Sequence, residues 1–139
     1  MPIGLLLAVP VVADQSLCGE GADEALFAAE TWDSLGDWVH DHPHCMDGYL
    51  AEHVVSVIGE WLTENEPDFR NLVSAIGRHP ELEPTVVWYL GGEYHGVEVL
   101  ERILENTRTK CPPEARDICS GVEEAVLANL RHVASEPRS

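Results

Sequence analysis

Apolar residues recur at helical spacing through residues 45–62, the most regular amphipathic stretch of the chain. The apolar positions that share one helical face are Leu50, Val54, Val57, Ile58 and Trp61. Asp47 suits an N-cap, since its carboxylate can accept from the first free backbone N–H groups. The pattern predicts a central helix that runs to about Asn65 and buries this face against other helices.

The same periodicity predicts further helices along the chain. We expect them over residues 23–40, from Pro67 to about 78, over 93–109, and from Ser120, which opens a capping-box pattern with Glu123. The segment TVVWYL at 85–90 also suits a strand, but an isolated strand would have no partner, so a short helix is favoured. The predicted fold class is all-α, a single-domain irregular bundle of five to six helices over residues 23–134.

The two ends of the chain differ from this region. Residues 1–13 are uncharged and mostly apolar, and they resemble a secretory signal that ends near Ala13, although no basic residue precedes Leu5. The alternative is a buried strand of a cytoplasmic protein. Residues 14–22 are predicted to form a flexible segment before the first helix, and residues 135–139 are predicted to form a frayed C-terminal tail.

The charge balance narrows the classes of partner. Twenty-five acidic residues face eight Lys and Arg, which gives a formal net charge of -17. Such a surface repels phosphate backbones and anionic lipids, so we expect no nucleic acid and no membrane association beyond the signal segment. The acidity either serves solubility or steers the protein toward a basic protein partner. No calcium-binding D-x-D-x-D-G loop is present.

Four cysteines form an even set, which favours two disulfides in an exported chain. The preferred pairing is Cys111 with Cys119, because a short loop between two helices separates them, and Cys18 with Cys45. A competing scheme joins Cys45 to Cys111 or Cys119 and leaves Cys18 free. In a cytoplasmic protein, all four would be reduced.

Alternating histidines precede Cys45 and offer a candidate metal site. His40, His42 and His44 could supply imidazole nitrogens to zinc, nickel or copper, with Asp41 orienting one of them. The simpler interpretation is a polar turn with solvent-exposed histidines. A metal-binding or metal-dependent hydrolytic domain is therefore the alternative function.

Short motifs spread over residues 30–126 carry a family resemblance. They are C-x-D-G-x-x-A-E at 45–52, N-x-x-x-x-C-P at 106–112, and Cys119. The chain thereby resembles small uncharacterised exported helical proteins of Gram-negative bacteria with a C-terminal cysteine pair. The resemblance implies an exported, periplasmic all-α protein with a cysteine pair and adds no catalytic residue or cofactor.

Motifs for nucleophilic, nucleotide-dependent or zinc-protease chemistry are missing, which favours a binding protein over an enzyme and predicts no cofactor. The predicted function is an inhibitor or immunity-type protein that occludes a basic partner. A structural protein or a cytoplasmic helical adaptor is a further alternative. The candidate partner contacts are the acidic and partly exposed aromatic residues Glu60, Glu64, Glu66, Trp38 and Trp88.

Overall fold

Seven α-helices and one 3₁₀ turn make up the part of the chain that the computed structural model describes, which is Cys18 and residues 20–136. The helices are α1 (Ala22–Phe27), α2 (Trp32–Asp41), α3 (Gly48–Leu62), α4 (Phe69–Arg78), α5 (Leu82–Gly91), α6 (Val97–Lys110) and α7 (Arg116–Ser135), with the 3₁₀ turn at Pro113–Ala115. No strand occurs in this part, so the all-α prediction is confirmed and TVVWYL is helical. The predicted signal segment 1–13 lies outside the described residues.

Helix α3 contributes its predicted apolar face to the core. Leu50, Val54 and Ile58 of that face are buried, and Val57 and Trp61 are partly buried against the core; Leu62, outside the predicted set, is buried as well. Around this face, α2 packs on α4, while α7 packs on both α5 and α6. Each fully buried aliphatic side chain contributes about 1.5–3 kcal/mol to folding. None of the described helices combines the length and apolarity that crossing a bilayer requires.

The prediction of one helix over residues 23–40 is wrong, because the chain breaks into α1 and α2. Thr31 caps α2: its hydroxyl accepts from the Ser34 N–H at 3.1 Å, and the Ser34 hydroxyl accepts from the Thr31 N–H at 3.0 Å. A serine performs here the role that Glu or Gln has in the usual capping box.

The other helix ends differ from prediction by a few residues. Helix α3 ends at Leu62 rather than Asn65, and the Asp47 side chain makes no cap hydrogen bond. Helix α4 begins at Phe69, because Asp68 caps it by accepting from the Asn71 N–H at 3.0 Å.

Helices α6 and α7 also start elsewhere than predicted. Helix α6 begins at Val97 rather than residue 93. Helix α7 begins at Arg116, directly after the 3₁₀ turn, so Ser120 lies within the helix and does not cap it.

Two buried asparagines hydrogen-bond to the last carbonyl groups of two other helices. The Asn106 amide on α6 donates to Leu62 O at 2.8 Å and Glu64 O at 2.9 Å, at the end of α3. The Asn129 amide on α7 donates to Leu90 O at 2.8 Å and Gly92 O at 2.5 Å, at the end of α5. Because the last carbonyls of a helix have no partner within it, these amides stabilise both helix ends and fix how the helices pack.

Both predicted disulfides are present. Cys18 pairs with Cys45, with 5.2 Å between their Cα atoms, and Cys111 pairs with Cys119, at 6.5 Å. The scheme that left Cys18 free is therefore wrong. The first bond anchors the chain before α1 to the start of α3, and the second sets the turn from α6 into α7. Two disulfides favour an oxidising compartment.

Gly59 allows the close packing of α3 against the loop before α6. A Cβ atom at Gly59 would lie 2.8 Å from Cδ2 of His95, whose Nε2–H donates to Val55 O. We expect Gly59→Ala to lower the free energy of unfolding by about 1–2 kcal/mol, because the steric cost exceeds the gain in helix propensity. Urea unfolding monitored by circular dichroism measures this change.

Gly77 in α4 provides the matched control. It is exposed, and no atom lies within 4 Å of the position of its Cβ. We expect Gly77→Ala to raise the free energy of unfolding by about 0.5–1 kcal/mol. Equal effects of the two substitutions would contradict the proposed packing of His95 on Gly59.

Candidate binding surface

Trp88 projects from α5 into solvent, with 69% of its surface exposed. Helix α5 buries its opposite side through Leu82, Val86 and Leu90, which leaves Trp88 facing outward. Beside it lies a groove of about 420 Å³ between α5 and α7. The residues that line this groove are Val87, Trp88, Gly91, Gly92, Glu93, Tyr94, Ala125 and Ala128. We refer to it as the Trp88 groove.

Small residues and aromatic rings define the shape of the Trp88 groove. The Tyr94 ring packs edge-on against Tyr89, with ring centroids 5.0 Å apart. A Cβ atom at Gly92 would lie 2.6 Å from the Tyr94 ring, so a larger residue there would displace that ring. Burial raises the pKa of the Tyr89 hydroxyl above its usual value. Tyr94 itself stays 49% exposed and forms one wall.

Asn129 fixes the end of α5 beside the groove. Its amide holds the carbonyls of Leu90 and Gly92, as described above, so the turn that carries Tyr94 is tied to α7. The groove is therefore largely formed before any ligand binds.

A second depression, of about 620 Å³, continues the surface on the other side of Tyr94. Ala51 and Val55 of α3 contribute apolar surface to it, and Glu52 and Glu93 contribute carboxylates. Glu93 and Tyr94 line both depressions. Together, the depressions form one apolar surface with acidic residues among its lining.

Of the aromatic residues predicted as partner contacts, only Trp88 is exposed. Trp38 is 3% exposed, and its indole N–H donates to Ala22 O at 2.8 Å, so the expectation that it is partly exposed is wrong. Tyr89, which follows Trp88 in α5, is also buried.

The predicted acidic contacts Glu60, Glu64 and Glu66 are all exposed. Glu64 and Glu66 line a separate cleft of about 280 Å³, together with Glu30, Asp68 and part of the Trp61 ring. None of the three predicted glutamates lines the Trp88 groove.

The three histidines predicted as metal ligands are not brought together. The His42 Nδ1–H donates to Trp38 O at 3.0 Å and its ring stacks on Trp38, while His44 is exposed. His40 turns to another part of the fold, where its Nδ1–H donates to Glu81 Oε2 at 2.9 Å. This hydrogen bond raises the pKa of His40 and lowers the pKa of Glu81. The site proposed from His40, His42 and His44 is therefore not formed.

Sequence reasoning missed most of the Trp88 groove. Tyr94, Ala125 and Ala128 were not assigned to a partner surface, because their positions depend on how α5 and α7 pack. The Gly91-Gly92 pair after Trp88 was the available signal, since it marks a place where other groups approach the backbone closely.

Comparison of the chain with models of protein families, with curated proteins and with solved structures finds no match.

Proposed function

We propose that the chain is a binding protein that occludes a basic partner protein, and that the Trp88 groove receives an apolar side chain of that partner. The observation that supports this proposal best is the exposure of Trp88 beside a preformed apolar groove. Such a protein acts as an inhibitor or immunity-type protein.

The energetics of Trp88 favour an interface. An indole exposed to this extent adds nothing to the core, and burying it under a partner would contribute roughly 3 kcal/mol at the usual value per unit of apolar area. Tryptophan is also the residue type most enriched among the contacts that dominate protein–protein affinity.

The order of the groove reduces the cost of binding. Asn129 ties the end of α5 to α7, and Tyr94 packs on Tyr89 beside Gly92. Binding of a partner therefore costs little conformational entropy on this side of the interface, and more of the interaction energy contributes to affinity.

The charge of the chain favours a basic partner. The net charge is -17, and Glu52 and Glu93 lie within the apolar surface itself. Glu64 and Glu66 add a second acidic cleft, which extends the attraction beyond the groove. These carboxylates would accelerate association and make it sensitive to salt.

The two disulfides and the resemblance to exported bacterial proteins support a periplasmic site of action. An inhibitor or immunity-type protein in that compartment would meet its partner outside the cytoplasm. The N-terminal signal segment and periplasmic location are part of this proposal.

Site-specific photo-crosslinking tests the proposal. A benzophenone amino acid at position 88, in cells that produce the protein, is expected to capture a protein of basic isoelectric point. The same amino acid at Tyr49, an exposed aromatic position outside the Trp88 groove, is the control and is expected not to capture it. Equal capture from both positions, or capture of acidic proteins only, would reject the groove as the interface.

A further inference from the structure

A histidine pair and a carboxylate meet where three helices end. His40 lies in the last turn of α2, His79 follows α4 directly, and Glu81 immediately precedes α5. One ring nitrogen of each histidine and one oxygen of Glu81 lie within 4.8 Å of one another. Ligands that converge from separate elements, with nitrogen and oxygen donors, are typical of protein sites for zinc and related metals.

Asp37 orients the ring of His79. The His79 Nε2–H donates to Asp37 Oδ1 at 2.7 Å, and the same oxygen accepts from Arg78 Nη2 at 2.7 Å. With Nε2 turned to Asp37, Nδ1 is the ring nitrogen that remains for another partner. This Nδ1 atom is buried and has no hydrogen-bond partner among the described residues.

A carboxylate that holds one nitrogen of an imidazole while the other binds a metal is the usual arrangement around metal-ligating histidines. The hydrogen bond between Asp37 and His79 already provides the carboxylate contact of this arrangement. A cation would also satisfy the lone pair of the buried Nδ1, which otherwise costs free energy.

We propose that His40, His79 and Glu81 bind one divalent transition-metal ion, of which zinc is the representative, with Asp37 orienting His79. The remaining coordination positions are open to water. The site differs from the His40, His42 and His44 site expected from the sequence, because only His40 belongs to both.

Binding requires a local rearrangement. The His40 and His79 rings stack with centroids 4.4 Å apart, whereas a metal lies in the plane of each imidazole that binds it. His40 must therefore turn out of the stack. With 52% of its side chain exposed, it can do so without disturbing the core. The metal would take the place of the hydrogen that His40 Nδ1 donates to Glu81.

A second cluster of possible metal ligands lacks an oriented, buried histidine. Glu93, His132 and Glu136 also place their donor atoms within 4.8 Å of one another. All three residues are exposed, and His132 Nε2 lies 3.4 and 3.6 Å from carboxylate oxygens of Glu93 and Glu136. No buried imidazole is oriented there by a separate carboxylate, so this group serves as a comparison.

Isothermal titration of the metal-free, tag-free full chain with zinc chloride tests the proposal. We expect one equivalent of zinc to bind with a micromolar dissociation constant. His40→Ala and Glu81→Gln are each expected to weaken binding at least tenfold, because each removes one of three protein ligands. Both side chains are exposed, so we expect both variants to fold, which circular dichroism checks.

Two histidine substitutions elsewhere serve as controls. His44→Ala removes an exposed histidine of the same stretch, and His132→Ala removes the comparison group. Neither is expected to change the affinity for zinc. The proposal is overturned if no saturable heat appears at micromolar zinc, if His40→Ala binds like the natural chain, or if His132→Ala is the variant that loses binding.

Discussion

Replacing Asn129 with aspartate is expected to lower the free energy of unfolding by about 3 kcal/mol, because each buried polar group left without a partner costs about 1–3 kcal/mol. The Asn129 side chain is 2% exposed and donates to Leu90 O and Gly92 O through one amide nitrogen. A carboxylate has the same shape but cannot donate, and it would face two carbonyl oxygens. Urea unfolding of the oxidised protein measures the change.

Asn65→Asp is the matched control for this substitution. Asn65 is exposed, and its Oδ1 accepts from Arg102 Nη2 at 2.9 Å, a role that a carboxylate fills equally well. We expect a change within about 0.5 kcal/mol. Similar losses in the two variants would mean that the Asn129 amide does not hold the end of α5.

Removing the Cys18–Cys45 disulfide is expected to cost about 3–4 kcal/mol, since its loop is the longer of the two and loop-closure entropy grows with loop length. The bonded cysteines are 27 residues apart, against 8 for Cys111–Cys119. The double replacement Cys111→Ala and Cys119→Ala is therefore expected to cost about 1 kcal/mol less. Urea unfolding of the two double variants compares them directly.

Burial does not distinguish the two disulfides. Each joins one buried cysteine, Cys45 or Cys119, to a partly exposed one, Cys18 or Cys111, so both replacements also lose packing and the difference comes from loop length. If removal of the Cys111–Cys119 bond proved the more destabilising change, the anchoring role given to the Cys18–Cys45 bond would be wrong.

Local patterns in the sequence predicted the helices because helix formation depends on neighbouring residues. The spacing of Leu50, Val54 and Ile58 identified the buried face of α3, and the structure buries all three. The break before Thr31 was missed because Ala28-Ala29-Glu30 are good helix formers by themselves. Only the reciprocal hydrogen bonds of Thr31 and Ser34 mark the start of α2.

The features of the candidate sites that the sequence did not predict depend on contacts between residues far apart in the chain. The burial of Trp38 depends on a carbonyl 16 residues earlier, that of Ala22. The end of α5 depends on Asn129, 37 residues beyond Gly92, and the partners His40 and Glu81 are 41 residues apart. Spacing within the His40–His44 stretch carried no information on these contacts. Trp88 was expected to be partly exposed, and it is exposed because α5 buries Leu82, Val86 and Leu90 on its opposite side.

The binding affinity of the protein captured at position 88 tests the proposed function most directly. Isothermal titration would compare the natural chain with Trp88→Ala and Tyr49→Ala, each at low and at physiological salt. We expect Trp88→Ala to weaken binding roughly 30-fold, the loss typical of a dominant interface residue, while Tyr49→Ala changes it little and added salt weakens it throughout. Equal affinity of the Trp88→Ala and Tyr49→Ala variants would contradict the Trp88 groove as the binding surface.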